Sequence, residues 1–138
     1  MLRVWIPGHP KPQGSKIAGR RKDGTVFMRE ANSKSRSWRT TVIEALSKEA
    51  PDTIEGAVRV HAHFYMPMLK NPIPYPITRS SYDVDKLSRT ILDALTLAKI
   101  VHDDSQVVTL VATKEYSERP GVQITVEPYT EFLNRFWE

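Results

Sequence analysis

The chain has 138 residues and a formal net charge of +4, with 20 lysines and arginines against 16 aspartates and glutamates. That length predicts one domain, residues 1–138, with a core large enough to fold unaided. Cysteine is absent, which excludes a disulfide framework and any thiolate metal site, and no apolar run approaches the ~20 residues that a spanning helix needs.

The first strand is expected at residues 2–6, where apolar and polar residues alternate. Pro7, Gly8, Pro10 and Pro12 end it, and with His9 they interrupt any signal-peptide core. A cytoplasmic location is therefore expected, in a bacterial or phage-infected cell. Residues 11–30 read as an extended basic arm, with Asp23-Gly24 as a turn signal for a short hairpin and Val26-Phe27 on its return. Lys16, Arg20, Arg21 and Lys22 give the arm its charge. A basic segment of this kind suits a phosphate backbone, although a solvated surface loop has the same composition.

Residues 33–49 are expected to be helical, capped by Ser33, Ser35 or Ser37, with Trp38, Val42, Ala45 and Leu46 as the apolar stripe. Trp38 is placed in the core rather than on a base-stacking platform. Residues 57–66 alternate strongly and predict a half-buried strand, with Val58, Val60, Ala62, Phe64 and Met66 facing in. His61 and His63 share the other face, but nothing nearby supplies further metal ligands. The stretch 67–82 carries four prolines and predicts a long mobile loop that orders on DNA or metal, with Lys70 and Arg79 as phosphate contacts. Residues 106–116 and 122–127 read as two strands forming an antiparallel hairpin through a turn at Ser117–Gly121. A short amphipathic helix is expected in the tail 129–138. This order predicts an α+β fold, a small mixed sheet with helices on one face.

The chemistry is concentrated between residues 82 and 104. After Asp85, the residues Leu87, Ile91, Ala94, Leu95 and Ala98 fall within one arc of a helix, and Asp85, Lys86, Arg89 and Asp93 fall on the opposite side. Leu92 and Leu97 break the pattern and predict cover on more than one side. Asp83 or Asp85 suits the N-cap. In extended backbone Asp83 and Asp85 point the same way, since the strand period is two. Paired carboxylates are hard ligands suited to Mg²⁺ or Mn²⁺. Asp103 and Asp104 arrive from a second turn, and only one of them can face the same ion. Arg89 lies one helical turn beyond Asp85, within reach of a bound phosphate. The competing reading is an Asp85–Arg89–Asp93 ion-pair ladder.

The runs Asp83-Val84-Asp85-Lys86-Leu87-Ser88-Arg89, Leu92-Asp93-Ala94-Leu95 and Asp103-Asp104-Ser105-Gln106-Val107 resemble the signature of the RusA family of Holliday-junction resolvases, D-x-D-N-L-x-K, D-A-L and D-D-x-Q-V, without a gap. Ile6-Pro7-Gly8-His9-Pro10 and Glu118-Arg119-Pro120-Gly121-Val122 are similar to the family's edges. The resemblance implies an Mg²⁺-dependent crossover junction endodeoxyribonuclease with Mn²⁺ as a substitute. It implies a homodimer acting on branched DNA in recombination and repair, with no membrane partner and no small-molecule cofactor. It selects Asp104 over Asp103 as the third ligand beside Asp83 and Asp85, and Arg89 as the phosphate-stabilising cation. The family's asparagine is Lys86 here, its lysine is Arg89, and the basic residue common before the first aspartate is Tyr82. Lys86 is expected to contact DNA. Two rivals remain: a non-catalytic branched-DNA-binding protein, and a structural domain whose aspartates only cap helices.

Overall fold

The computed structural model describes residues 1–13, 16–30, 33–49, 52–71 and 73–130. The elements are β1 (Leu2–Pro7), β2 (Lys16–Arg20), β3 (Val26–Glu30), α1 (Ser33–Glu49), β4 (Val58–Pro67), α2 (Val84–Leu97), β5 (Val107–Ser117) and β6 (Gly121–Pro128), with 3-10 turns at Arg79–Ser81 and Asp104–Gln106. Four strands form one mixed sheet in the order β1-β6-β4-β5, while β2 and β3 form a separate ribbon. Only β4 and β5 run parallel. The fold is α+β.

Alternation decides which face of the sheet is covered. Val58, Val60, Ala62, Phe64 and Met66 of β4 are buried, as are Val122, Ile124 and Val126 of β6 and Leu2, Val4 and Ile6 of β1. They share one core with Trp38, Val42 and Leu46 of α1 and with Leu87, Ile91, Ala94 and Leu95 of α2. The opposite face carries Trp5, His61, His63 and Tyr65, with His61 exposed and Trp5 42% exposed. His63 lies 3.4 Å from Glu115 and stacks on Tyr65, so these histidines belong to a surface cluster. Trp38 sits in the core.

Parallel strands need a crossover, and α2 supplies it between β4 and β5. Because the strands run the same way, the helix between them must run back, antiparallel to both. Its N-terminus therefore lies at the end where β4 finishes, and its C-terminus at the end where β5 begins. This topology positions everything in the candidate site.

Several expectations change. β5 and β6 are consecutive but unpaired, because β4 lies between them. Three residues, 118–120, bridge the roughly 10 Å between strands two places apart. Burial explains the order: the inward residues of β6 are fully buried and take a central position, while Val108, Leu110 and Val111 of β5 are 42–54% exposed and fit an edge. Gln106 belongs to the 3-10 turn rather than to the strand. Leu97 is 60% exposed, so α2 has no second cover there, whereas Leu92 packs against the core. α1 begins at Ser33, which puts Ser35 and Ser37 inside the helix, with Ser35 buried. The loop after β4 contains the turn at Arg79–Ser81, stapled by the Ser81 hydroxyl to the carbonyls of Pro76 and Thr78 at 2.7 Å. Pro51 and the expected tail helix from residue 131 lie outside the described residues.

The hairpin of the basic arm forms as expected. Gly24 takes φ 91° in its turn, and the Arg21 N–H donates to the Thr25 carbonyl at 2.8 Å.

Candidate active site

α2 begins with two aspartates because the first N–H groups of a helix are unpartnered and favour negative charge. Asp83 occupies the N-cap in extended backbone, φ −78° and ψ 138°, but its side chain caps nothing. It lies 3.3 Å from the Lys86 ammonium instead. Asp85 stands exposed in the first turn, and Arg89 is exposed one turn on. Among the described residues neither side chain makes an ion pair or hydrogen bond, so the ion-pair ladder with Asp93 does not form. Asp93 instead accepts the Gln13 amide at 2.8 Å.

The residue before Asp83 is strained. Tyr82 has φ 66° and ψ 163°, a region that belongs almost entirely to glycine. The Lys114 ammonium donates to the Tyr82 carbonyl at 2.6 Å and to the Ser81 hydroxyl at 3.1 Å. From the other side, the Lys11 ammonium lies 3.5 Å from the Tyr82 hydroxyl and 5.6 Å from its ring centre. The strained turn is thus clamped between two lysines, and it sets the direction in which Asp83 enters the helix.

Residues 11–13 form a strap along α2. The Gln13 N–H donates to the Lys86 carbonyl at 3.1 Å, and the Thr90 hydroxyl to the Lys11 carbonyl at 3.4 Å. The strap leads towards the basic hairpin, so the arm departs from beside the acidic turn. Arg20, Arg21 and Lys22 are exposed around the hairpin turn, and Lys16 opens β2. Lys70 is exposed in the loop after β4, and exposed Arg79 opens the 3-10 turn leading to Tyr82.

The second acidic turn is elsewhere. The Ile100 N–H donates to the Leu95 carbonyl and the Ile54 N–H to the Ile100 carbonyl, both at 2.9 Å. The Gln106 amide then donates to the carbonyls of Ile54 and Gly56. Residues 100–106 are therefore fastened at the C-terminal end of α2, beside the start of β4. A helix of 14 residues is about 20 Å long at ~1.5 Å per residue. Asp83 and Asp85 stand at one end of it and Asp104 beyond the other. Among the described residues no three histidine, aspartate or glutamate side chains gather within one chain to hold a metal.

The two residues of the second turn have different work. Asp103 is the N-cap of a capping box with Gln106 and accepts the Ser105 N–H at 2.9 Å. Hydrogen bonds from Ser105, its side chain first and its backbone second, hold the Asp103 carboxyl below its ordinary range. Asp104 is exposed, and its side chain makes no hydrogen bond or ion pair among the described residues. Asp103 is consumed in building the turn, and the Asp104 carboxylate is left facing solvent.

A family model described as "Endodeoxyribonuclease RusA" matches residues 7–127, which include both acidic turns and the whole β4–α2–β5 unit. The chain belongs to the RusA endodeoxyribonuclease family. It is also 32% identical to "Uncharacterized protein YqaN" of Bacillus subtilis (strain 168) over 139 residues, covering 91% of this chain and 94% of that protein. No helix among the described residues is long and apolar enough to cross a membrane.

Membership in the RusA family gives the departures from its signature a structural reading. Lys86, in place of asparagine, lies against Asp83. Tyr82, in place of a basic residue, lies against the Lys11 ammonium, which returns a positive charge to that corner. The sequence reading missed Lys114, Lys11 and Gln13 as site-building residues. Lys114 had a signal: it shares strand parity with Leu110, Ala112 and Tyr116, in register with Val60, Ala62, Phe64 and Met66. A lysine on the parity that faces the helices must have a partner to reach. The Gln13 contact across 80 residues had no signal.

Proposed function

We propose that this protein is an Mg²⁺-dependent, structure-selective endodeoxyribonuclease that resolves Holliday junctions and related branched DNA by paired nicks, acting as a homodimer. Membership in the RusA family carries the reading, and the chemistry of α2's first turn supports it. Asp83, Asp85 and Asp104 offer exposed carboxylate oxygens, the donor type that Mg²⁺ and Mn²⁺ prefer. Asp83 and Asp85 at the start of α2, or Asp104 beyond its other end, would hold the ion, which would supply an activated water and neutralise charge on the phosphate. Arg89 projects from the same end of α2 and is assigned the phosphate, where a preorganised guanidinium stabilises charge that builds up during cleavage. Lys86, Lys70, Arg79 and the hairpin's Lys16, Arg20, Arg21 and Lys22 hold the DNA backbone, a sequence-independent attraction that weakens with salt. Two-fold symmetry in the protein matches the near two-fold form of a four-way junction.

The Lys86–Asp83 ion pair favours a second reading, a non-catalytic branched-DNA-binding protein, because an ammonium there competes with a metal for the same oxygen. A labelled four-way junction with Mg²⁺ separates the two. The wild-type protein is expected to nick opposed strands. Asp85→Asn is expected to lose nicking by at least 100-fold while binding the junction as tightly as wild type in Ca²⁺. Binding without nicks under every divalent ion selects the second reading, and equal affinity for linear duplex removes both.

A further inference from the structure

The ends of β4 and β5, where Met66 pairs with Tyr116, and the turn at Thr78–Ser81 enclose a hollow of about 140 Å³. A cavity of about 150 Å³ takes a benzene-sized ring, so this one has room for a single six-membered ring. We propose that it is a base pocket, taking one unpaired thymine of the DNA beside the phosphate to be cut. The proposal rests on the nuclease reading for its substrate, whereas the lining alone selects the base.

Much of the lining is apolar, with buried Met66, half-buried Leu69 and exposed Met68. Methionine sulfur packs favourably against an aromatic ring. The polar part of the lining is hydroxyl. That of Tyr116 is buried and has no hydrogen-bond partner among the described residues, a state that costs free energy until a partner meets it. The Thr78 and Ser80 hydroxyls lie 2.9 Å apart, so one proton of the pair and acceptor lone pairs on both remain to be used. The Ser81 hydroxyl is already engaged by Pro76, Thr78 and Lys114. Hydroxyls donate to the carbonyl oxygens of thymine and accept from its ring N–H. The other bases are read by longer polar side chains: arginine or lysine for guanine, asparagine or glutamine for adenine, a carboxylate for the cytosine amino group. Among the described residues none of these lines the hollow. The thymine methyl group is read by apolar contact, which the methionines and Leu69 supply. Charge favours a nucleotide over an apolar peptide side chain. Exposed Arg79 stands between Thr78 and Ser80 in the chain, and exposed Lys70 follows Leu69, so two cations adjoin the lining. Ser81 is two residues from Asp83, about 7 Å of extended chain, so an occupant of the hollow adjoins the first acidic turn. Flipping a base out of the stack costs least where it is already unpaired, as at a branch point.

Four-way junctions in which each branch-point base is varied in turn test the proposal, with affinity measured in Ca²⁺. At one position the wild-type protein is expected to bind the thymine junction about 4-fold tighter than its uracil counterpart, the effect of one buried methyl group. It is expected to bind thymine there at least 5-fold tighter than adenine, guanine or cytosine. Ser80→Phe fills the mouth of the hollow and is expected to level all five bases. Tyr116→Phe removes the unmet hydroxyl and keeps the ring. It is expected to cut the thymine preference at least 2-fold while the urea midpoint holds or rises, which separates the pocket from the fold. A wild type with equal affinity for all five bases, or a thymine preference that survives either substitution, overturns the pocket. Nicking in Mg²⁺ with no base preference in binding overturns the pocket and leaves the nuclease reading intact. A thymine preference in Ca²⁺ with no nicking under any divalent ion overturns the nuclease reading and leaves the pocket standing. A protein that binds no branched DNA overturns both.

Discussion

Replacing Lys114 with methionine tests how the acidic turn is aimed. The ammonium is half-buried and makes two hydrogen bonds, to the Tyr82 carbonyl at 2.6 Å and to the Ser81 hydroxyl at 3.1 Å. A hydrogen bond to a charged group contributes about 1.5–3 kcal/mol, but the desolvation of the lysine offsets part of two such bonds. Tyr82 itself holds about 1–3 kcal/mol of backbone strain, which relaxes once the clamp is gone. A net loss of about 2 kcal/mol is expected, read as a lower urea midpoint with an unchanged slope. The relaxation swings Tyr82 back towards negative φ and turns the entry to α2, so Asp83 is displaced. Junction nicking is therefore expected to fall at least 10-fold with little change in DNA affinity. Adding Tyr82→Gly to Lys114→Met should restore part of the stability, since glycine takes this conformation without strain. A loss of less than about 0.5 kcal/mol refutes the clamp. A full stability loss with unchanged nicking refutes its link to the site.

Two further outcomes follow from local geometry. In Gly121→Ala the new Cβ lies 2.5 Å from the Ile6 carbonyl oxygen and 2.6 Å from the Trp5 ring, so β1 must part from β6; overpacking of this kind costs about 1–3 kcal/mol, and an unchanged urea midpoint would count against the β1–β6 register. Hydrogen bonds from Ser105 hold the Asp103 carboxyl below the ordinary aspartate range in the folded chain, so its capping contribution is complete above about pH 5, where the unfolded group is also ionised, and is lost as pH falls through the folded value; a Ser105 amide shift that titrates at or above the free-aspartate range contradicts the cap.

Much of the fold was legible because the burial pattern is written in residue periods. The alternation of residues 58–66 and the arc of Leu87, Ile91, Ala94 and Leu95 describe faces that are buried as read. Periodicity describes a face but not a neighbour. The run 106–116 reads as a strand with equal force whether it sits at the edge or the centre, so its pairing with residues 122–127 was inferred from a short turn. The deciding facts were the crossover through α2 and the greater burial of β6, and both are tertiary. Tyr82 was illegible for a related reason: a tyrosine in glycine's region is permitted by contacts from Lys11 and Lys114, 71 and 32 residues away. The candidate site divided the same way. Asp103 is spent on the Ser105 N–H, a contact within its own turn, while the Asp104 side chain is exposed. The grouping of Asp104 with Asp83 and Asp85 around one ion could not be judged from spacing.

That grouping turns on a property of every parallel crossover. The helix between parallel strands runs against them, so residues just before it and residues just after it face opposite ends of the sheet. A signature that reads as one compact block of about 25 residues is, in space, two acidic turns about 20 Å apart. Among the described residues each turn offers an ion two neighbouring aspartates, and Mg²⁺ held by so few carboxylates is held weakly unless the substrate adds its own oxygens.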